Sequence, residues 1–387
     1  MSVIFKNGNV VFENETEKCD ILVKNGVICD VGKDLREEGA ETVDAENKYL
    51  FAGFIDIHVH GGGGADFMDG SVKAMETAVN AHLGHGTTTI YPTTMSSEFK
   101  NVEDVVKIYK EFKKSKKAGA HLGGLHLEGP FINPAMCGAQ RKDLVYPPLK
   151  EHIEFLKENR DYIARISCAP EISGVKELKN NLLPLGIKFS MGHTAATYEQ
   201  AEEAFNEGFT SVTHLYSATS GFHKVNQRVH IGVTQAAFGL DGIYAELIGD
   251  ARHVPKELLK LAVKLKGENK ICLVTDAMRA AGTDAKESYL GAVCPENRVI
   301  IEDEVAKLPD RSFYAGSIGT MDKALRFSIT ECGFSPSLAS RVTSLNAASL
   351  MGISDKKGSI KVGKDADLVL LNADFNVERV YVSGVRR

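Results

Sequence analysis

Gly53-Phe54-Ile55-Asp56-Ile57-His58-Val59-His60-Gly61-Gly62-Gly63-Gly64 is the stretch that decides the fold. Phe54 to Ile57 make a short apolar run of strand length, and two histidines follow it before a run of glycines. Side chains two apart on a strand face the same way, so His58 and His60 share a side. The same rhythm returns downstream. Thr88 to Tyr91, Gly124 to Leu127, Arg165 to Ser167, Ile187 to Ser190, Ser211 to Thr213 and Ile271 to Val274 are all strand-like. Between them Ser71 to Leu83, Asn101 to Lys114, Tyr198 to Glu207 and Pro255 to Lys266 repeat their apolar residues at helical spacing. Strands alternating with helices imply parallel β-α-β units. About eight of them over roughly 300 residues predict an α/β fold, a (β/α)8 TIM barrel rather than an open doubly wound sheet. Ser288 to Ser312 is β-like and predicts an inserted hairpin.

The two ends of the chain read differently. Val3-Ile4-Phe5 and Val10-Val11-Phe12 flank Asn7-Gly8, and Asp20 to Val23 and Val27-Ile28 flank Asn25-Gly26, so both read as hairpins with Asn-Gly turns. Gly358 to Ile360, Asp367 to Leu371 and Arg379 to Val382 form a similar set. Neither set is large enough to bury a core alone. Residues 1–52 and 355–387 are therefore expected to join as one small β-sandwich domain that brackets a catalytic barrel of residues 53–354.

Composition limits the partners. At 43% hydrophobic and 25% charged over 387 residues the chain has ample material for a core, and its net charge of -5 gives no basic face for nucleic acid or an anionic membrane. No secretory leader and no stretch near the ~18 apolar residues of a membrane span are legible, which predicts a cytoplasmic protein. The seven cysteines are odd in number and scattered, with no Cys-x-x-Cys pair, and fit neither a disulfide framework nor a zinc finger.

The residues able to do chemistry cluster just after the strands, where barrel enzymes carry their sites. His58 and His60 are spaced to hold one metal ion together. Glu128, in His126-Leu127-Glu128-Gly129-Pro130, is a strand-end carboxylate able to bridge cations, with His126 as a rival two residues deeper. His193, His214 and Asp276 each end a strand of their own. Histidine and carboxylate ligands with open positions suit zinc, iron or another borderline divalent ion, and the pattern points to metal-assisted hydrolysis. Gly61 to Gly64 lacks the Lys-Ser/Thr that completes a phosphate loop, and reads as a tight turn. His82 and His85 read as structural, while His121 and His152 have no supporting context.

With these residues in view the chain resembles the N-acetylglucosamine-6-phosphate deacetylases of the amidohydrolase superfamily, over essentially its whole length. The resemblance rests on Ala52 to His60, His85 to Thr88, His126 to Phe131, Gly192 to Thr194, Thr213 to Tyr216, Leu273 to Met278, Ala315 to Met321 and Lys357 to Asp367. It implies Glu128, His193 and His214 as main ligands, His58 and His60 as ligands of a second ion, and Asp276 as the catalytic aspartate. One or two divalent ions, zinc or iron, and a homodimer follow from it as expectations. The implied substrate is a small amino-sugar phosphate.

The substrate side departs from the family pattern. Ser217 in His214-Leu215-Tyr216-Ser217-Ala218-Thr219 replaces an asparagine that helps hold phosphate, and His223 to Arg228 form a rebuilt, longer loop from which Arg228 or Lys224 would supply charge. Gly138-Ala139-Gln140 puts Gln140 in place of a sugar-contacting histidine, while His253 matches a phosphate-contacting one. The resemblance therefore implies retained chemistry with an altered pocket, either another sugar epimer or another phosphate grip. Hydrolases of cyclic amides or dipeptides on the same barrel are the alternative, disfavoured because many of them bridge their metals with a modified lysine where Glu128 stands here. A non-catalytic barrel is disfavoured because buried ionisable groups are costly without a function.

Overall fold

The structure, a computed structural model, describes residues 2–117 and 119–387. Eight parallel strands alternate with eight helices through the middle of the chain. The strands are β1 (Phe54–Val59), β2 (Thr87–Thr94), β3 (Leu125–Glu128), β4 (Ile163–Cys168), β5 (Lys188–Met191), β6 (Phe209–Val212), β7 (Tyr244–Ile248) and β8 (Ile271–Val274). The helices that follow them are α1 (Val72–Gly84), α2 (Phe99–Ser115), α3 (Lys150–Glu158), α4 (Val175–Leu182), α5 (Tyr198–Asn206), α6 (Val233–Gly239), α7 (Lys256–Lys266) and α8 (Met321–Thr330). Each strand pairs with the next in order, β1 to β8, as a (β/α)8 barrel requires.

The seam between β8 and β1 closes through side chains as well as backbone. Asp56 accepts from the Thr275 hydroxyl at 2.5 Å and from the Thr275 amide at 3.3 Å. The Asp276 amide donates to the His58 carbonyl at 2.9 Å, and the His60 amide to the Ala277 carbonyl at 2.8 Å. The aspartate of the opening stretch thus ties the first barrel strand to the last. Helix starts follow local chemistry: the Ser71 hydroxyl caps α1 by accepting from the Ala74 amide, and Thr197 with Gln200 forms a capping box on α5. Outside the barrel each helix buries one apolar face, as α2 does with Val102, Val105, Val106, Tyr109 and Phe112.

Both chain termini enter one eight-stranded sheet beside the barrel. Leu368–Leu371 runs antiparallel to Tyr49–Ala52, which joins the carboxyl end to the amino end. Phe5, Ile21, Leu50, Leu370 and Tyr381 fill its core. Asn25-Gly26 is the expected hairpin turn, with φ of 51° and 82°. Asn7-Gly8 is not. Ser2–Val11 is a single strand with a bulge between Phe5 and Gly8, across which its parallel partner changes from Glu41–Asp44 to Tyr49–Ala52. Asn7 sits at φ 60° and its amide donates to Asp20 at 2.9 Å, so the Asn-Gly pair bends a strand instead of ending it. Between β8 and α8 the expected hairpin is present with a third strand added: Glu287–Tyr289, Arg298–Glu302 and Val305–Lys307 are antiparallel neighbours. Among the described residues all seven cysteines are free. No helix among them is long and apolar enough to cross a membrane.

Candidate active site

Six of the predicted site residues leave the ends of β1, β3, β5, β6 and β8, two of them from β1, and meet at one mouth. Three do so from strained backbone: His193, His214 and Asp276 have φ of 49°, 31° and 48°. A left-handed residue at the end of a strand swings its side chain across the barrel opening, and such outliers concentrate at functional sites. Gly61 to Gly64 turns the chain sharply beside them. A Cβ on Gly61 would lie 2.4 Å from the Ala65 carbonyl, and Gly63 and Gly64 have φ of 62° and 89°.

The tautomers of two histidines follow from their partners. The carbonyls of Met136 and Ser217 only accept, so His193 and His214 donate Nδ1–H to them, at 2.8 and 3.1 Å. Each Nε2 then carries a lone pair. These two nitrogens lie 3.2 Å apart, and Glu128 Oε1 lies 3.2 Å from His193 Nε2 and 2.8 Å from His214 Nε2. Three buried acceptors facing one another repel unless positive charge, from ring protons or from a bound ion, sits among them. A tetrahedral ion with bonds of ~2.0–2.2 Å separates its ligands by about 3.3–3.6 Å, so two of the three separations need only a few tenths of an ångström and the His214–Glu128 one roughly half an ångström or more. The donor set fits a divalent ion.

A second set adjoins the first. His58 Nε2 lies 3.3 Å from His60 Nε2, 3.4 Å from Glu128 Oε1 and 3.4 Å from Asp276 Oδ1. His60 Nε2 lies 3.3 Å from Glu128 Oε2 and 3.1 Å from Asp276 Oδ1. Glu128 therefore faces both sets. Burial pushes its carboxyl up, but the His58 and His193 rings outweigh this and hold it well below the usual range. Burial likewise raises Asp276, while His58 and His60 bring it down to about 2. Both carboxylates stay ionised. His126, the rival, is tied into hydroxyls deeper in the barrel. Its Nε2 lies 2.7 Å from Ser167 Oγ, its Nδ1 lies 3.2 Å from Thr93 Oγ1, and its ring meets His58 edge-on at 4.7 Å.

A cavity of about 210 Å3 opens over these groups, walled by Gly138, Ala139, Gln140, Ser217, Ala218, His253, Leu290, Phe313 and Tyr314. Gln140 is committed within it: its carbonyl accepts from the Ser96 amide and its amide donates to Glu128, both at 2.9 Å. His253 is gripped by Asp250 at 2.7 Å and packs on the Tyr314 ring. Burial pulls the His253 ring down, but the Asp250 carboxylate outweighs this and raises it. Arg228 and Lys224 lie elsewhere. They stand on an exposed hairpin, His223–Val225 with Arg228–His230, turned at Asn226-Gln227, whose φ values are 46° and 67°. No lysine or arginine is among the described residues lining the cavity.

Four other histidines are tied to neighbouring groups away from the mouth. His82 donates to the Gly61 carbonyl at 2.8 Å, and burial pulls its ring down to about 4. His85 bonds Asp322 at 3.1 Å, His121 pairs with Asp367, and His152 caps α3 and stacks on Phe99. Two charged residues near the site were not singled out from the sequence. Arg165 on β4 and Glu246 on β7 form an ion pair beneath His58, with side chains 1% and 0% exposed. Arg165 lies in a predicted strand and Glu246 in one that was not predicted.

Histidines and carboxylates gathered on the strand ends of a (β/α)8 barrel define the class as a barrel hydrolase. The amidohydrolase family profile matches residues 49–387. The N-acetylglucosamine-6-phosphate deacetylase of Bacillus subtilis is 35% identical over 385 residues, covering 97% of this chain and 94% of that protein. The crystal structure of the N-acetylglucosamine-6-phosphate deacetylase from Pasteurella multocida superposes with a TM-score of 0.92 at 30% identity, over 100% of both chains. The N-acetylgalactosamine-6-phosphate deacetylase of Escherichia coli O157:H7 is 28% identical over 343 residues, 88% of each chain. The chain belongs to the amidohydrolase family, among the N-acetylglucosamine-6-phosphate deacetylase-like hydrolases that act on an amide.

Proposed function

We propose that the protein is a cytoplasmic, metal-dependent deacetylase of an N-acetyl amino-sugar 6-phosphate, either N-acetylglucosamine-6-phosphate or an epimer. The observation that carries this reading is the convergence of lone pairs from Glu128, His193 and His214 beside an ionised Asp276, on the wall of one cavity. Glu128, His193 and His214 are assigned to one divalent ion, zinc or iron. His58 and His60, with Asp276, are assigned to a second. A divalent ion supplies Lewis acidity there, acidifying water and polarising an amide carbonyl.

The rest falls to the protein. Asp276 accepts a proton from the attacking water as a bond forms to the acetyl carbon, then returns it to the sugar nitrogen as the C–N bond breaks. Acetate and the free amino-sugar phosphate leave. Gly138, Ala139, Ser217 and Ala218 shape the walls around the sugar. Gln140, on the wall of the cavity, holds Glu128 in place. His253, with its basicity raised by Asp250, takes one phosphate oxygen.

One histidine leaves a dianionic phosphate under-neutralised, and the described residues lining the cavity include no lysine or arginine. The hairpin carrying Arg228 exposes Phe222, Val225 and Val229 at 61%, 48% and 56%. A homodimer in which a second copy covers these apolar groups and sends Arg228 or Lys224 to its neighbour's phosphate meets both needs. The test is acetate release by zinc- or iron-loaded protein from N-acetylglucosamine-6-phosphate, its galacto and manno epimers, and each sugar without phosphate. Preference for one phosphorylated sugar supports the reading. Turnover of unphosphorylated sugars alone removes the phosphate site from it, and no acetate from any of them overturns it in favour of another amide.

A further inference from the structure

The Arg165–Glu246 pair is not required by the fold. It joins β4 to β7, strands that are not neighbours, so it crosses the barrel interior. Apolar layers usually fill that space. A buried ion pair is seldom worth more to stability than well-packed apolar residues of the same volume, because both charges lose their hydration. What the pair touches gives a different reason for it. Besides Glu246, Arg165 donates to the Ile57 carbonyl at 3.3 Å, the peptide that leads into His58. The second carboxylate oxygen, Glu246 Oε2, lies 3.5 Å from His58 Nδ1. Both of these atoms are fully buried and neither has a hydrogen-bond partner among the described residues. A small rotation of either side chain brings them to bonding distance.

We infer that Glu246, clamped by Arg165, is the positioning residue for His58: it takes the Nδ1–H of that ring, so that Nε2 presents its lone pair to the mouth. The inference rests on the reading of His58 and His60 as metal ligands. His193 and His214 are oriented the same way, but by backbone carbonyls. His58 has a carboxylate behind it, a stronger acceptor that makes the imidazole a better donor to a cation. His126 packs edge-on against the same ring and leaves it little room to turn. One buried pair thus holds both the backbone entering His58 and the ring itself.

The experiment uses zinc alone as the probe. Full-length wild type and an Arg165→Met/Glu246→Leu double variant, which removes both charges at similar volume, are loaded with zinc. Zinc per chain, the two affinities by competition with a chromophoric chelator, and thermal unfolding are then measured. The double variant is expected to unfold like wild type and to bind the zinc at His58 and His60 about 10- to 100-fold more weakly, with the Glu128–His193–His214 site unchanged. Two zincs bound as tightly in the variant as in wild type overturn the role of Glu246 alone. A single zinc in wild type overturns the two-ion reading beneath it. Should the double variant fail to fold, side-chain 15N spectra of zinc-loaded wild type decide the matter, with His58 assigned through a His58→Gln variant. The Nδ1–H tautomer is expected, and the Nε2–H tautomer overturns the inference.

Discussion

Asp276→Asn separates the proton-transfer role from everything else Asp276 does. The backbone of this residue is fixed independently of its charge: its amide donates to the His58 carbonyl at 2.9 Å, and its carbonyl accepts from the Ser317 amide at 2.8 Å. Asparagine tolerates the left-handed φ of 48° as aspartate does, so the side chain should keep its place. What the amide cannot do is accept a proton. With the carboxyl brought down to about 2 by His58 and His60, wild type holds this acceptor ionised throughout the neutral range. Loss of a general acid–base typically removes about 100- to 10,000-fold, which is about 2.7–5.4 kcal/mol of transition-state stabilisation. The expected result is a kcat lower by at least 100-fold with KM within a few-fold, measured by acetate release at saturating zinc. Zinc content must be checked in parallel, because Asp276 Oδ1 also lies 3.1 Å from His60 Nε2. Zinc at the Glu128–His193–His214 site should be retained. A variant with that zinc in place and kcat within tenfold of wild type would refute the assignment of Asp276 as the proton acceptor.

Chelation should abolish acetate release and lower the unfolding temperature, since removing a ligand held at 100 times its Kd costs about 2.7 kcal/mol of stability; readdition of zinc or iron should restore both. Arg228→Ala should raise KM for the phosphorylated sugar about tenfold or more, consistent with ~1.4 kcal/mol for one lost charged contact, and leave any turnover of unphosphorylated sugar unchanged. Equal KM for the phosphorylated sugar would remove Arg228 from the phosphate site. Asp367→Asn tests the latch that joins the terminal sheet to the barrel, where the carboxylate meets Lys357 at 2.6 Å and His121 at 3.3 Å. Burial alone raises the Asp367 carboxyl, but His121 and Lys357 outweigh it and lower the value. A lowered folded pKa gives stability that is present above the unfolded value of about 3.9 and lost as pH falls through the folded one. The variant should therefore be weaker by about 1–3 kcal/mol at neutral pH, and the gap in urea midpoint should close below about pH 4.

What could be read from the sequence, and what could not, divides along one physical line. The alternation of apolar runs and helical patterns announced the barrel, because most of its strands are buried and short and most of its helices carry one apolar face. His58, His60, Glu128, His193, His214 and Asp276 stood at the ends of those runs, and the structure brings them within hydrogen-bond range of one another. β7 was missed. Tyr244-Ala245-Glu246-Leu247-Ile248 holds a charge at its centre, which breaks the apolar run expected of a buried strand. The partner that makes this charge tolerable, Arg165, lies 81 residues earlier on a strand that is not a neighbour. Periodicity registers only local surroundings, so an ion pair across the lumen is invisible to it. The left-handed φ of His193, His214 and Asp276 was equally hidden, since nothing in their local sequence requires it. The same holds for the exposed hairpin around Arg228, whose Asn226-Gln227 turn carries no glycine to mark it. Each of these features departs from local preference, and all but the exposed hairpin lie within or beside the candidate site. A barrel strand that carries an ion pair where an apolar layer would pack has given up local consistency for something it positions, and His58 is the side chain that Glu246 faces.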